Sequence, residues 1–176
     1  MLFRSVYFQP NIPSEECFTS PKSGEAEGIV YATMPLSYQG NLIENFWIRF
    51  ENGKAVECGA EKNKEILQKI LDMDEGASKL GECALVPNKS PIRKSGILFY
   101  NTLFDENATC HLALGAGFDN CVRGYEEKGK EKCKEEGVNE SIIHVDFMIG
   151  SDTLDIDAKT KDGKIVPVFR NGDWAF

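Results

Sequence analysis

The stretch SIIHVDFMIGSDTLDIDAKTKDGKIVPVFRNG, at residues 141–172, carries the clearest indication of the fold class. It divides into three β-like runs, at 141–150, 153–163 and 164–172. Asp162-Gly163 stands between the second run and the third and predicts a hairpin, and Asn171-Gly172 predicts a further turn. We therefore interpret this part of the chain as strands joined by tight turns.

The remainder of the chain continues this pattern and adds one clear helix. Further β-like runs are GIVYAT (28–33), ENFWIRFENG (44–53) and ILFYNTLF (97–104). In EKNKEILQKILDMD (61–74), apolar residues recur at helical spacing with Lys and Glu on the opposite face, which predicts an amphipathic helix. The charged stretch YEEKGKEKCKEEG (125–137) is interpreted as a solvated helix or a loop insertion. The sequence thus predicts a single α+β domain.

Composition and charge argue against several classes of protein. The chain has 176 residues with 20 Lys+Arg and 28 Asp+Glu, and its net charge of −8 would repel the phosphate backbone of a nucleic acid. No apolar stretch approaches the roughly 20 residues of a membrane-spanning helix, and the first residues do not resemble a secretory signal. The six cysteines are scattered without a CxxC pair, which favours reduced thiols. We therefore expect a cytoplasmic protein without a nucleic-acid or membrane partner.

The chain has two histidines, and each stands near a carboxylate in the sequence. If HVDFMIG is a strand, His144 and Asp146 share one face and form half of a site for Zn²⁺ or a similar ion. His111 follows Glu106 by five residues, so the two can converge only through a turn or a strand-to-helix entry, and the LALGAG after His111 suits a helix start. The alternatives are a His144–Asp146 pair satisfied at the surface or in the core, and a Glu106 that is a solvated turn carboxylate.

Two further carboxylates, Glu82 and Glu16, stand among small or apolar residues, where a charge is costly unless it is paired or bound to a metal. Glu15 is the solvated neighbour of Glu16. Four carboxylates and two neutral imidazoles would together carry −4, which one divalent ion reduces to −2 and two ions neutralise. If these side chains converge, charge balance favours two divalent ions.

Five segments of the chain resemble, in the same order, those of the M29 family of metallo-aminopeptidases. They are NIPSEECFTSP (11–21), DEGASKLGECALV (74–86), NTLFDENATCHLALG (101–115), HVDFMIGS (144–151) and DGKIVPVFRNGDWAF (162–176). The resemblance implies a peptidase that removes N-terminal residues with two divalent ions, typically zinc or cobalt. It also implies a mixed, mainly antiparallel, barrel-like sheet with few helices.

The resemblance implies roles for single residues as well. By position in these segments, the metal ligands are Glu16, Glu82, Glu106, His111, His144 and Asp146. Glu82 is expected to bridge both ions and thereby to take part in catalysis. The free α-amine of the substrate would bind an ion or the carboxylate of Glu15, which is also the candidate proton shuttle. The implied partners are peptides with a free N-terminus, and the implied assembly is a homodimer.

This sequence departs from the family's pattern in two ways. Phe118 stands where family members carry a tyrosine, seven residues after the first histidine, and phenylalanine cannot donate a hydrogen bond to an oxyanion. Family members are also considerably longer and carry an N-terminal domain, so that residues 11–176 resemble only the catalytic domain and residues 1–10 show no resemblance. One alternative is therefore a truncated, weakly active or inactive metal-binding remnant. Another is phosphoester or amide cleavage at a related site, and the acidic composition argues against phosphate substrates.

Overall fold

The computed structural model describes residues 15–176 together with the backbone of Leu2–Phe3 and Val6–Tyr7. The predicted boundary between residues 10 and 11 lies outside the described residues. The strands are β1 (Leu2–Phe3), β2 (Val6–Tyr7), β3 (Cys17–Thr19), β4 (Gly28–Tyr31), β5 (Leu36–Tyr38), β6 (Asn41–Ile43), β7 (Trp47–Glu51), β8 (Lys54–Gly59), β9 (Leu80–Leu85), β10 (His111–Gly115), β11 (His144–Met148), β12 (Ile156–Lys159), β13 (Ile165–Arg170) and β14 (Asp173–Trp174). The α-helices are α1 (Lys64–Leu71), α2 (Pro91–Ser95), α3 (Thr102–Asp105) and α4 (Tyr125–Glu135), with 3₁₀ turns at Glu106–Ala108 and Asp119–Cys121.

The described strands form antiparallel sheets of two to four strands each. The largest sheet has the strand order β11-β10-β9-β3, and two further sheets have the orders β4-β7-β8 and β12-β13-β14. The prediction of a mainly antiparallel α+β fold is confirmed, although the described strands remain separate sheets and do not close into a barrel. Among the described residues, no helix is both long and apolar enough to cross a membrane.

One hydrophobic cluster holds the largest sheet against its neighbours. Leu114, Val145 and Phe147 of β10 and β11 pack in the same cluster as Ile48 and Phe50 of β7. Each of these side chains is buried, and burying a large apolar side chain stabilises a fold by about 1.5–3 kcal/mol. Because successive side chains of a strand point to opposite faces, this packing leaves the other face of β10 and β11 free for polar residues.

The helix and the two turns that the sequence predicts most clearly are present in the structure. Helix α1 buries Leu67, Ile70 and Leu71 and exposes its charged residues. Strands β12 and β13 form the hairpin predicted around Asp162-Gly163. The turn at Asn171 and Gly172 joins β13 to β14 with positive φ at both residues, 50° and 73°, which is the conformation that an Asn-Gly hairpin turn favours.

The predicted strand at 97–104 is wrong, because the segment forms an irregular loop that leads into α3. The cause is local hydrogen bonding by side chains. The buried carboxylate of Asp105 accepts hydrogen bonds from the N–H groups of Phe99 (2.8 Å) and Asn101 (3.1 Å). The side chain of Asn101 in turn accepts from the N–H of Leu103 and caps α3. These bonds satisfy backbone groups that would otherwise pair with a neighbouring strand.

The charged stretch at 125–137 contains helix α4, which is interrupted at Gly129 (φ 72°, ψ 171°). Most of its residues are exposed, whereas Cys133 is buried and anchors it. The interpretation of this stretch as a solvated helix is therefore confirmed. All six cysteines lie in the described part of the chain as free thiols.

Candidate metal centre

The register of the largest sheet brings candidate ligands from three strands to one face. Ala113 of β10 lies opposite Glu82 of β9 on one side and opposite Asp146 of β11 on the other. His111 and His144 stand two residues from Ala113 and Asp146, so they share that face. The prediction that His144 and Asp146 lie on the same strand face is confirmed. The small methyl group of Ala113 leaves the space above the sheet to the two carboxylates.

Glu106 and Glu16 reach this face from the ends of other elements. Glu106 begins the 3₁₀ turn before β10, so Glu106 and His111 approach each other through a turn, which is one of the two routes expected. The expectation that a helix starts after His111 is wrong, because His111–Gly115 pairs with both β9 and β11 as a central strand. Glu16 directly precedes the edge strand β3.

The candidate ligand atoms of the six side chains lie close to one another. Nε2 of His144 lies 3.0 Å from a carboxylate oxygen of Glu82 and 3.2 Å from one of Asp146. Nε2 of His111 lies 3.2 Å from an oxygen of Glu16. Within residues 15–176, three overlapping groups have candidate ligand atoms within 4.8 Å of one another: Glu16–Glu82–His111, Glu82–His144–Asp146 and Glu106–His111–Asp146. The structure thus brings together every residue that the sequence nominated as a metal ligand, and Glu82 belongs to two of the groups.

Backbone carbonyls orient both imidazoles. Nδ1 of His144 lies 2.7 Å from the carbonyl oxygen of Ala116, and Nδ1 of His111 lies 3.1 Å from that of Thr109. A carbonyl oxygen only accepts, so each Nδ1 must carry the proton and donate it. In the neutral imidazole the lone pair is then on Nε2, which faces the carboxylates. Two lone-pair donors facing each other repel unless a proton or a metal ion lies between them, so this orientation fits a metal site.

Two cluster atoms in the described part of the chain are buried without a hydrogen-bond partner. They are Nε2 of His111 and Oδ1 of Asp146, whose neighbours at 3.2 Å do not meet hydrogen-bond geometry. An unsatisfied buried polar atom costs about 1–3 kcal/mol, so folded proteins contain few of them. Both atoms are good ligands for a borderline divalent ion, and they belong to the same candidate group. The donor set therefore fits a metal cofactor.

Protons are held tightly in this cluster when no ion is bound. Burial lowers the pKa of His111 and of His144, but neighbouring carboxylates outweigh it and raise these pKa values to about 8 and about 10. Burial, together with the negative charge of Asp146, raises the pKa of Glu106 to about 8. The pKa of Asp146 is lowered because His144 outweighs the effect of its burial. These shifts are typical of a site that concentrates negative charge for a cation.

The two remaining predicted site residues lie beside the cluster. The ring of Phe118 packs 4.9 Å from the ring of His144 and 5.3 Å from that of Phe18, measured between centroids. Phe118, at which the resemblance implies a tyrosine, is therefore in contact with a candidate ligand. Glu15 is held through its backbone, since its N–H donates to the side chain of the buried Asn107 at 2.8 Å, and its own side chain is exposed.

Sequence reasoning missed the groups that orient the ligands. The carbonyls of Thr109 and Ala116 have no side-chain signature, so nothing in the sequence pointed to them. The one weak indication in the sequence is Gly81, because a glycine directly before the candidate ligand Glu82 allows another part of the backbone to approach closely. A Cβ atom at Gly81 would lie 2.2 Å from the carbonyl oxygen of Ala116, so only glycine lets this carbonyl approach β9.

Comparison with known proteins identifies a family of metalloproteases and named relatives along nearly the whole chain. The profile of the Thermophilic metalloprotease (M29) family matches residues 3–174. The chain is 54% identical over 169 residues to aminopeptidase AmpS of Bacillus subtilis (strain 168), covering 96% of this chain and 41% of that protein. It is 52% identical over 171 residues to aminopeptidase 2 of Geobacillus stearothermophilus, covering 97% of this chain and 41% of that protein.

A solved structure is similar across the same region. Wild-type AmpT from Thermus thermophilus superposes with a TM-score of 0.85 at 47% identity, covering 95% of this chain and 41% of that chain. The chain therefore spans about two fifths of the length of the relatives that it matches.

Proposed function

The chain belongs to the M29 family of thermophilic metalloproteases, and on this basis we propose that it releases N-terminal residues from peptides with the help of two divalent metal ions. Residues 11–176 would form the catalytic domain. The observation that carries the proposal is the cluster of four carboxylates and two imidazoles, four of whose six residues are buried and in which Glu82 belongs to two ligand groups. The names of the relatives, which are aminopeptidases, support peptides as the substrate class.

The ligand groups support two ions rather than one. Glu16 and His111 would hold one ion, and His144 and Asp146 would hold the other. Glu82, which belongs to a ligand group with each pair, would contribute its carboxylate to both ions. Glu106 would add a carboxylate to the first ion from the buried side of the cluster. The mixed nitrogen and oxygen donors suit zinc or cobalt, which we propose as the metals.

Divalent ions bound here would lower the pKa of a coordinated water towards neutrality and polarise the scissile carbonyl group. The residues of the chain hold and orient the reacting groups. The carbonyls of Ala116 and Thr109 keep Nε2 of each imidazole directed into the cluster. The exposed carboxylate of Glu15, next to the ligand Glu16, would bind the free α-amine of the peptide or relay a proton, and this contact would explain selectivity for N-terminal residues.

The test is to replace the bridging carboxylate. We expect Glu82→Ala to reduce bound metal from near two ions per chain to less than one, and to abolish hydrolysis of leucine p-nitroanilide. Metal content is measured by elemental analysis of the purified protein. Glu75→Ala is the control, because Glu75 precedes the same strand and is exposed. Activity retained in Glu82→Ala would overturn the proposal.

A metal-binding protein with little or no turnover is the second candidate. The observation in its favour is Phe118, whose ring lies against His144 but lacks a hydroxyl group. Two bound ions per chain, without release of any N-terminal residue from a panel of peptides, would support this candidate against the aminopeptidase.

We also propose a cytoplasmic location and a homodimeric assembly. The free state of all six cysteines supports a reducing compartment, in which disulfides are rare.

A further inference from the structure

The turn that follows β10 carries the carbonyl group that orients His144. Strand β10 ends at Gly115, and the carbonyl oxygen of the next residue, Ala116, lies 2.7 Å from Nδ1 of His144. Two residues further on, the ring of Phe118 packs against the imidazole of His144. The direction in which Nε2 of His144 points therefore depends on the position of this turn, residues 115–118.

The turn has a backbone conformation that requires glycine. Gly115 has a φ of 98°, which residues with a side chain rarely adopt. A Cβ atom at Gly115 would lie 2.2 Å from the carbonyl oxygen of Ile143, the residue before His144. The chain thus bends sharply at the end of β10 and lies close to the start of β11, so hydrogen bonds from other parts of the chain are needed to fix it.

A buried asparagine, Asn139, supplies these hydrogen bonds. Its Nδ2 donates to the carbonyl oxygen of Gly115 at 2.7 Å and to that of Gly76, in the loop after α1, at 2.8 Å. Because carbonyl oxygens only accept, the group that faces them must be the NH₂ group, and both of its hydrogens are used. The backbone carbonyl of Asn139 accepts from the N–H of Gly117 at 2.8 Å. Asn139 therefore bonds the residue before Ala116 and the residue after it.

This arrangement requires an amide side chain. An aspartate, which has nearly the same size, would place an oxygen opposite the two carbonyl oxygens, and an alanine would leave both of them without this donor. Asn139 is 5% exposed, so water does not readily replace the lost donor. The other atom of the amide, Oδ1, accepts from the hydroxyl group of Ser23 at 3.3 Å, and this contact does not involve the turn.

We propose that Asn139 is a positioning residue for His144. By fixing the turn, it keeps the carbonyl of Ala116 in place and Nε2 of His144 directed at the carboxylates of the cluster. Groups that orient a metal-binding imidazole without touching the ion typically change metal affinity about 10–100-fold when they are removed. The effect of Asn139 on metal binding rests on the proposed function, whereas its effect on the imidazole does not.

The test uses the two histidines of the chain as signal and reference. In the ion-free protein labelled with ¹⁵N-histidine, NMR measures how fast the proton on Nδ1 of each imidazole exchanges with solvent, which reports the hydrogen bond that holds it. We expect Asn139→Ala and Asn139→Asp to accelerate exchange at His144 about 10-fold, as for the loss of roughly one hydrogen bond. Exchange at His111 should stay unchanged, because the carbonyl of Thr109 holds that imidazole.

Ser23→Ala is the matched control. It removes the hydrogen bond to Oδ1 of Asn139 and keeps both bonds from the NH₂ group, so we expect exchange as in the parent at both imidazoles. Unchanged exchange at His144 in the two Asn139 variants would overturn the proposal. Equal acceleration at His111 and His144 would also overturn it, since Asn139 would then support the sheet as a whole.

Zinc titration against a chelator extends the test to the proposed metal centre. We expect the Asn139 variants to bind one of two zinc ions about 10–100-fold more weakly and the other as tightly as the parent. Weakening of both ions by the same factor would contradict an effect through His144. A parent chain that binds no zinc would overturn the proposed metal centre, whereas the exchange rates of the ion-free protein would still decide whether Asn139 positions His144.

Discussion

Phe118 is the single residue at which this chain departs most clearly from the site that the family resemblance implies. Its ring contacts both His144 and Phe18, so the position adjoins the candidate metal centre. A phenylalanine there supplies apolar contact but no hydrogen-bond donor. If a tetrahedral oxyanion forms beside His144, this chain stabilises it less well than a chain with tyrosine.

Restoring the hydroxyl group should therefore increase turnover. We expect Phe118→Tyr to raise kcat for leucine p-nitroanilide by about 100-fold, the usual effect of one oxyanion donor, without changing the number of bound ions. Steady-state kinetics on the metal-loaded protein measure this change. Phe18→Tyr is the control, since the partly exposed Phe18 contacts the ring of Phe118, and we expect it to leave kcat unchanged. An unchanged kcat in Phe118→Tyr, with both ions bound, would contradict the assignment of this position.

At the scale of single elements, the segment from Ile97 to the end of α3 depends on one buried carboxylate. Asp105 is 2% exposed and accepts hydrogen bonds from two backbone N–H groups of the preceding loop. These bonds replace the strand pairing that the β-like sequence ILFYNTLF predicts. The conformation of this segment therefore depends on Asp105.

Removing this carboxylate should destabilise the chain. We expect Asp105→Ala to lower the free energy of unfolding by about 2–4 kcal/mol, because two hydrogen bonds from backbone N–H groups to a buried carboxylate are lost. Urea denaturation followed by circular dichroism measures the loss. Asp155→Ala is the matched control, because the exposed Asp155 also accepts a hydrogen bond from a backbone N–H, that of Asn171, and should cost less than about 1 kcal/mol. Equal losses in the two variants would show that burial of Asp105 is not the cause.

At the scale of the whole molecule, the metal centre couples the stability of the fold to pH. Without ions, His111, His144 and Glu106 bind protons more tightly in the folded chain than in the unfolded chain, since all three pKa values are raised. Their contribution to stability is complete at low pH. The contribution of each group is lost as pH rises from the ordinary pKa, which the group has in the unfolded chain, through the raised pKa that it has in the folded chain. The lowered pKa of Asp146 has the opposite effect, but only as pH falls below its ordinary value of 3.8.

The ion-free protein should therefore become less stable between about pH 6 and pH 10. We expect its Tm to fall over this range in the presence of a chelator, as the raised pKa values of about 8 for His111 and Glu106 and about 10 for His144 are passed. Zinc or cobalt should raise Tm most at high pH, because the ions replace protons that are no longer bound. Thermal unfolding with and without added metal measures both effects. A Tm of the ion-free protein that rises with pH over this range would contradict the protonation states assigned to the cluster.

Much of the fold could be predicted because its signals are local. Helix α1 and the hairpin turns at Asp162-Gly163 and Asn171-Gly172 follow from periodicity and from residues that tolerate a positive φ. The segment 97–104 could not be predicted in the same way. Its β-like residues are outweighed by the hydrogen bonds of Asp105, whose burial depends on the packing of the whole chain.

For the metal centre, the sequence determined the chemical types of the ligands, the charge that they would bring together and the resemblance that named Glu16, Glu82, Glu106, His111, His144 and Asp146. Only the tertiary structure decided that these residues meet. The register of β9, β10 and β11 sets Glu82 and Asp146 on either side of Ala113, and two carbonyls direct the imidazoles inward. The physical reason is that charge and donor type belong to each side chain, whereas convergence depends on pairing between strands far apart in the sequence.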